Sequence, residues 1–384
     1  MKILFLYHEN VDDKNKLSGT VNSIYDMLVG FGNEVIVVSD LKYPLYLNIY
    51  NKVKHKLLRK KNIGLNMNVG LLKSYAHQIQ NKTKNLDYDV VFCPVSSYYA
   101  YYVDEKPTVF FIDSNVGCLV DYYWKSSDYL KSDVKKGFEL ETLALKHTTL
   151  AIYASNWARD AAIKYHEGDP DKIVAINRGA NVRHKLSAEQ IKEIVLKRNI
   201  PCRNGRVQLL FVGKDWERKR GEIACKVVKS LNDIGVEAKL IVIGCTPSIP
   251  SAYRDFVDIQ GFLDKNKTEE YKKIEEAYSR SDFFILPTQA EAQGISFIEA
   301  AAWGTPPIGC ATGGVGDVVI EGITGLLIPV DAEPEEYAER IKYYVENPDE
   351  YCALANSAFD YYTRNMSWEA VGRRIFEELD KRIR

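Results

Sequence analysis

Short apolar runs alternate with helix-period segments along nearly all of the 384 residues. This alternation narrows the fold more than any other feature. Runs at 2–7, 34–39, 90–93, 108–112, 150–154 and 172–176 read as strands in the first half. A second series runs at 207–212, 238–243, 283–286, 307–309 and 325–328. Apolar strands separated by helices build parallel sheets covered on both faces. The series breaks at 183–205, where a polar helical segment ends in Asn199-Ile200-Pro201-Cys202-Arg203-Asn204-Gly205 and a fresh strand follows. The expected fold class is therefore α/β, with two Rossmann-like domains and a cleft between them. The first domain is expected over 1–183, a linker over 184–205 and the second domain over 206–365.

Composition excludes several classes. The 51 basic and 52 acidic residues argue against whole-chain nucleic-acid binding. No apolar run reaches the roughly 18 residues a membrane span needs, and the apolar stretch at the N-terminus is too short for a signal segment. The seven cysteines are scattered without CxxC spacing, and the six histidines show no ligand spacing. Reduced thiols in a cytoplasmic protein, with no metal site, are expected.

The segment with most chemistry is Leu286-Pro287-Thr288-Gln289-Ala290-Glu291-Ala292-Gln293-Gly294-Ile295-Ser296-Phe297-Ile298-Glu299. A buried strand runs into a loop, and Gly294 opens a helix. Ligands of open α/β sheets bind beyond the carboxyl ends of the strands. The free N–H groups of Gly294, Ile295 and Ser296 favour an anion there. Glu291 on the loop and Glu299 in the helix add two acceptors. Phosphate donors beside hydroxyl acceptors suit a nucleotide sugar. Without their surroundings, two glutamates at this spacing are more often solvent-facing helix residues.

Three Gly-containing turns extend the pattern. Ser18-Gly19-Thr20 follows the first strand and its loop and precedes a helix. It reads equally as a ligand-approach turn or an ordinary strand-to-helix turn. The loop from Gly213 to Gly221 presents Lys214, Arg218, Lys219 and Arg220, suited to a diphosphate or to solvated local ion pairs. Thr312-Gly313-Gly314-Val315-Gly316-Asp317 follows another strand.

Together these segments resemble the retaining glycosyltransferases of family 4, which have the GT-B fold. Glu291 and Glu299 match the family's glutamate pair, and Gly304-Thr305-Pro306-Pro307 its Gly-Thr-Pro-Val turn. Gly313-Gly314 and Gly322-Ile323-Thr324-Gly325-Leu326-Leu327 match its glycine segments. Val212-Gly213-Lys214 through Lys219 matches its diphosphate loop, and Met366-Ser367-Trp368 its Phe-Ser-Trp. The likeness is strongest over 207–330.

The resemblance implies two Rossmann-like domains facing across a deep cleft, with the terminal helix 366–384 returning to the first. Glu291 would contact the donor sugar and Glu299 the ribose. Lys219, then Lys214 and Arg218, would hold the diphosphate. Gly294, Ile295 and Ser296 would assist, and the base would lie near Gly261 and Phe262. No metal or other cofactor would be needed. Retaining transfer from a UDP-sugar is implied first, with GDP-mannose as the other donor, to a glycan, lipid-linked or other hydroxyl acceptor. The chain departs from the pattern at Gln293, where an aromatic ring is usual, and at Val315-Gly316-Asp317, where Pro-Glu is usual. Asp113 stands at the corner where many members carry a catalytic histidine; a turn or capping aspartate reads as well there.

Residues 41–86 contain no Asp or Glu but ten Lys and Arg. The basic patch at 51–61 fits an anionic membrane surface, and equally a solvated helix and loop. A cytoplasmic protein, peripheral on the membrane in the first case, is expected. Aromatic groups at Tyr98, Tyr99, Tyr101 and Tyr102, and at Tyr122, Tyr123 and Trp124, could stack on acceptor sugars or pack the core. A nucleotide-sugar 2-epimerase, a sugar-phosphate synthase and a non-catalytic nucleotide-sugar-binding protein use compatible scaffolds.

Overall fold

The computed structural model describes residues 1–61 and 64–383. Asn62 and Ile63 of the acid-free segment, and Arg384 at the end of the expected terminal helix, lie outside the described residues. The chain divides into two compact units, one of Met1–Asn177 with the terminal segment from Val371, the other of Arg178–Ala370.

The first unit is built on β1 (Lys2–Leu6), β2 (Glu34–Val38), β3 (Val90–Cys93), β4 (Thr108–Ile112), β5 (Leu150–Tyr153) and β6 (Ile173–Ala175). They pair in the order β2-β1-β3-β4-β5-β6, all parallel. Phe5, Phe92, Phe110 and Phe111 are fully buried, as strands covered on both faces require. From Val371 the terminal helix Trp368–Ile383 belongs to this unit. Phe376 meets Phe31 at 5.1 Å between ring centroids, and Arg374 donates to the carbonyl of Ala175 at 3.3 Å.

The second unit holds β7 (Arg206–Val212), β8 (Glu237–Ile243), β9 (Val257–Gly261), β10 (Phe283–Leu286), β11 (Pro307–Cys310) and β12 (Leu326–Ile328). Their order is β12-β11-β10-β7-β8-β9, again all parallel. The chain leaves β7 to one side for β8 and β9, then returns to the other side at β10. This reversal opens a crevice at the carboxyl ends of β7 and β10. Two six-stranded parallel sheets with helices give the two Rossmann-like domains expected from the alternation.

Two details differ from expectation. Strand β9 was not among the anticipated strands. It is an edge strand of five residues in which exposed Asp258 and Gln260 alternate with half-buried Val257, Ile259 and Gly261, so no apolar run marks it. The stretch 184–205, expected as a linker, is folded into the second unit. Its helix Ala188–Leu196 puts Ile191 and Val195 into the core, and Ile200 follows them. Buried Arg198 donates to the carbonyls of Ser279, Trp303 and Gly304, to Thr305 Oγ1 and to the Tyr351 hydroxyl, at 2.6–3.1 Å. The polar residues that suggested a linker, among them Glu189, Gln190, Lys192 and Glu193, form the exposed side of the helix.

Candidate donor site of the second unit

Three loops leave the adjacent strands β7, β10 and β11 on the same edge of the sheet, because all three strands run parallel. Main-chain bonds join them. Gln289 N donates to the carbonyl of Arg218 at 3.2 Å, and Gly314 N to that of Glu291 at 3.1 Å. Thr288 Oγ1 donates to the carbonyl of Ala290 at 2.9 Å, and Thr312 Oγ1 to that of Gln289 at 3.2 Å.

This frame brings Glu291 against two of the anticipated cations. Lys219 Nζ donates to Glu291 Oε2 at 2.9 Å, and Arg218 Nη1 to the same oxygen at 3.3 Å. Arg218 is fixed further by the carbonyl of Ala290 at 2.6 Å and by Asp215 Oδ2 at 3.1 Å. Burial works to raise the Glu291 pKa, but Lys219 and Arg218 outweigh it, and the carboxyl lies below its ordinary value. Glu291 is thus a carboxylate at neutral pH. Gly213 permits the approach of Lys219: a Cβ there would stand 2.5 Å from Lys219 Cδ. Lys214 lies elsewhere on the loop, its Nζ 5.0 Å from the centroid of the exposed Phe262 ring.

Gly294 caps the short helix Ile295–Ala301 in a left-handed conformation, φ 82°, which glycine adopts without strain. A side chain there would strike the Phe297 ring at 2.5 Å. Ile295 and Ser296 form the first turn, and the helix carries Glu299 inward.

Glu299 is buried and both its oxygens are engaged. Lys265 Nζ donates to Oε1 at 2.8 Å, and the Tyr278 hydroxyl to Oε2 at 3.1 Å. Burial, and then the charge of Glu299, push the Tyr278 pKa well above its usual value, so the phenol stays a donor. Sequence reasoning missed both partners. Lys265 follows β9, itself unrecognised, and Tyr278 lies on the buried side of the amphipathic helix Thr268–Arg280, beside Ile274 and Ala277. Gly261 ends β9, where its carbonyl accepts from Gly244 N at 2.8 Å.

Two anticipated residues belong to the first unit. Gly19, φ 90°, caps the helix Thr20–Gly30 that follows β1. Asp113 follows β4 directly and accepts from Ser114 Oγ at 3.1 Å; the cap of the next helix is Asn115, not Asp113. Of the expected stacking aromatics, Tyr98, Tyr99 and Tyr102 are core residues. Tyr101 is half-buried under Lys73, at 5.1 Å, and Tyr122, Tyr123 and Trp124 are half-buried. Among the described residues, no group of three or more His, Cys, Asp or Glu side chains is placed to hold a metal ion, and no helix is long and apolar enough to cross a membrane.

Residues 195–361 match the sequence profile of the glycosyl transferases group 1. The match lies wholly within the second unit. Among curated relatives, the D-inositol 3-phosphate glycosyltransferase of Corynebacterium glutamicum (strain R) is 26% identical over 264 residues, 66% of this chain and 62% of the relative. The alpha-maltose-1-phosphate synthase of Mycolicibacterium smegmatis is 23% identical over 252 residues, 62% of this chain and 64% of the relative. The chain therefore spans somewhat less than two thirds of each. The crystal structure of Anabaena HepE in complex with UDP and glucose superposes with a TM-score of 0.66 at 16% identity, over 99% of both chains. At that identity the likeness establishes the fold, which is GT-B.

Proposed function

We propose that this protein is a retaining, metal-independent glycosyltransferase of the family 4 type, in the group 1 family that its second unit matches. It moves a sugar from a nucleoside diphosphate to a glycan, lipid-linked or other hydroxyl acceptor in the cytoplasm. The observation that carries this reading is the convergence of Lys219 and Arg218 on Glu291 beside the crevice of β7 and β10. The likeness to a fold crystallised with UDP and glucose adds support and favours a UDP-sugar, with GDP-mannose second.

Breaking the sugar–phosphate bond leaves negative charge on the departing diphosphate. Cations held in place stabilise that charge without reorganising. Lys219 and Arg218 supply them, with Lys214 on the same loop. A diphosphate carries more charge than one carboxylate, so it displaces Glu291 from Lys219 on binding. Glu291 is then released to accept hydrogen bonds from the donor sugar. Glu299 accepts from the ribose hydroxyls, which replace Lys265 as its partner while Tyr278 keeps it oriented. Gly294, Ile295 and Ser296 present main-chain donors, and Gly261 and Phe262 border the base. The first unit takes the acceptor and contributes Asp113 to catalysis and Gly19 to donor binding. The departing phosphate itself takes the acceptor proton, so no strong protein base is required.

The test is incubation with UDP-, GDP- and ADP-sugars, scored by released nucleoside diphosphate. Release by the wild type, with severe loss in Lys219→Ala and Glu299→Ala, is expected. Near-normal rates in both variants would sink the assignment. Nucleotide binding without release would point instead to a binding protein.

A further inference from the structure

The helix Leu45–Leu57 in the first unit is turned inside out. Helices on globular proteins bury their apolar stripe and expose their polar one. Here the buried residues are Asn51 and His55. His55 Nε2 lies 2.9 Å from Asp133 Oδ2, its Nδ1 lies 2.6 Å from the Asn51 carbonyl, and Lys54 Nζ lies 3.3 Å from Asp133 Oδ1. Asn51 Nδ2 donates to the Tyr43 hydroxyl at 3.2 Å. The polar side is therefore fastened to the protein.

The opposite side carries Leu45, Tyr46, Ile49, Tyr50, Val53 and Leu57, each 52–76% exposed. At about 100° per residue these positions fall within an arc of about 140°. A contiguous apolar stripe of this kind on a soluble surface marks an interaction site. Cations accompany it. Exposed Lys52 borders the stripe, exposed Lys56 lies within its arc near the C-terminal end of the helix, and exposed Arg59 follows the helix. Lys60 beyond it lines a groove with Lys131, Lys135, Leu130 and Phe138. No acidic residue occurs from 41 to 86.

We propose that this helix seats the protein on the surface of an anionic lipid bilayer. It lies in the plane of the interface, with Leu45, Ile49, Val53 and Leu57 among the acyl chains and Lys52, Lys56 and Arg59 among the headgroups. An apolar stripe bordered by cations is the chemistry that such an interface selects. A purely proteinaceous partner would require no acid-free border, and a zwitterionic surface would not use it. The hydrogen bonds of His55 and Asn51 keep the stripe outward without any conformational change. The proposal does not depend on the donor reading, since every residue in it belongs to the first unit.

The test is co-sedimentation of the full chain with phosphatidylcholine vesicles, with and without about one third phosphatidylglycerol. Binding to the anionic vesicles alone is expected, falling at least about tenfold in the triple variant Leu45→Glu/Ile49→Glu/Val53→Glu. Lys52→Glu/Lys56→Glu/Arg59→Glu leaves the stripe intact and is expected to lose binding likewise. Circular dichroism and a thermal melt confirm folding of each variant. Equal binding by wild type and both folded variants, or none to anionic vesicles, overturns the proposal. A wild-type dimer that the glutamate variants convert to monomer, without vesicle binding, shows that a second copy covers the stripe and overturns it as well.

Discussion

Glu291 in the second unit and Glu141 in the first are both largely buried glutamates, yet their surroundings shift their proton affinity in opposite directions. Glu291 has Lys219 at 2.9 Å and Arg218 at 3.3 Å, and its carboxyl lies below the ordinary value. Glu141 sits in the helix Lys131–Lys146, wholly buried, and accepts from Ser96 Oγ at 2.8 Å. A hydroxyl cannot offset desolvation as a cation does, so burial raises its pKa to about 7. The same side chain is thus a fixed anion in one unit and a proton carrier near neutrality in the other. What separates the two carboxyls is a preassembled counter-charge, which Glu291 has and which a hydroxyl does not supply to Glu141.

Removing the counter-charge gives the largest expected effect. Lys219→Ala leaves Glu291 with Arg218 alone and, under the proposed function, strips a cation from the leaving group. Loss of a fixed electrostatic contact of this kind costs about 10²–10³ in turnover. The comparison adds a second readout. In the wild type Glu291 contributes its ion-pair stability above the ordinary carboxyl value, and this is lost as pH falls through the depressed folded one. In Lys219→Ala the Glu291 value rises, so residual activity fails at higher pH than in the wild type. Identical acid limbs in the two pH–rate profiles would show that Lys219 does not set the Glu291 charge.

Arg198 is a buried cation of a third kind, satisfied by three carbonyls and two hydroxyls. Arg198→Ala leaves those acceptors unpaired between the helix Ala188–Leu196 and the turn at 303–305. Breaking such a buried charged network costs about 3–5 kcal/mol. Urea unfolding measures it, and a loss below about 1 kcal/mol would return 184–205 to the status of a connector.

Glu141 titrates with the opposite sign to Glu291. Its folded value lies above that of the open chain, so the fold binds a proton that the unfolded chain has released. The stability this contributes is complete below about pH 4.5 and is lost as pH rises through about 7. Between about pH 5.5 and about pH 8 the wild type therefore gives up about 2 kcal/mol that Glu141→Gln retains. Melting both proteins at the two pH values tests this, and parallel losses would place Glu141 in a more solvated setting.

These cases also mark what the chain discloses before folding. The α/β class was legible because buried parallel strands such as β10 are unbroken apolar runs. Glu291, Glu299 and the cationic loop were legible because strand ends, glycines and cations recur in order. The inverted helix Leu45–Leu57 was legible only as charge: the basic residues stand out in sequence, but which side of a helix faces inward is decided by Asp133, some eighty residues on. Strand β9 was hidden by its half-polar edge position, and Lys265 and Tyr278 by their distance in sequence from Glu299.

Tyr278 allows the finest division. Glu299 stands between the two extremes, held by one cation, Lys265, and one neutral donor, Tyr278. Tyr278→Phe removes a single hydrogen bond and keeps the ring that packs near Phe284, at 5.9 Å between centroids. A bond to a charged group contributes about 1.5–3 kcal/mol, and the Lys265 contact that remains limits the loss to the lower end. If Tyr278 orients Glu299 for the ribose, the effect falls on the donor KM, raised roughly tenfold, with kcat nearly unchanged, since ribose contacts are the same in ground and transition states. If it only supports the fold, the melting temperature drops while KM holds. The two outcomes separate an oriented carboxylate from one that is merely buried, which is the distinction between Glu291 and Glu141 at the scale of one hydroxyl.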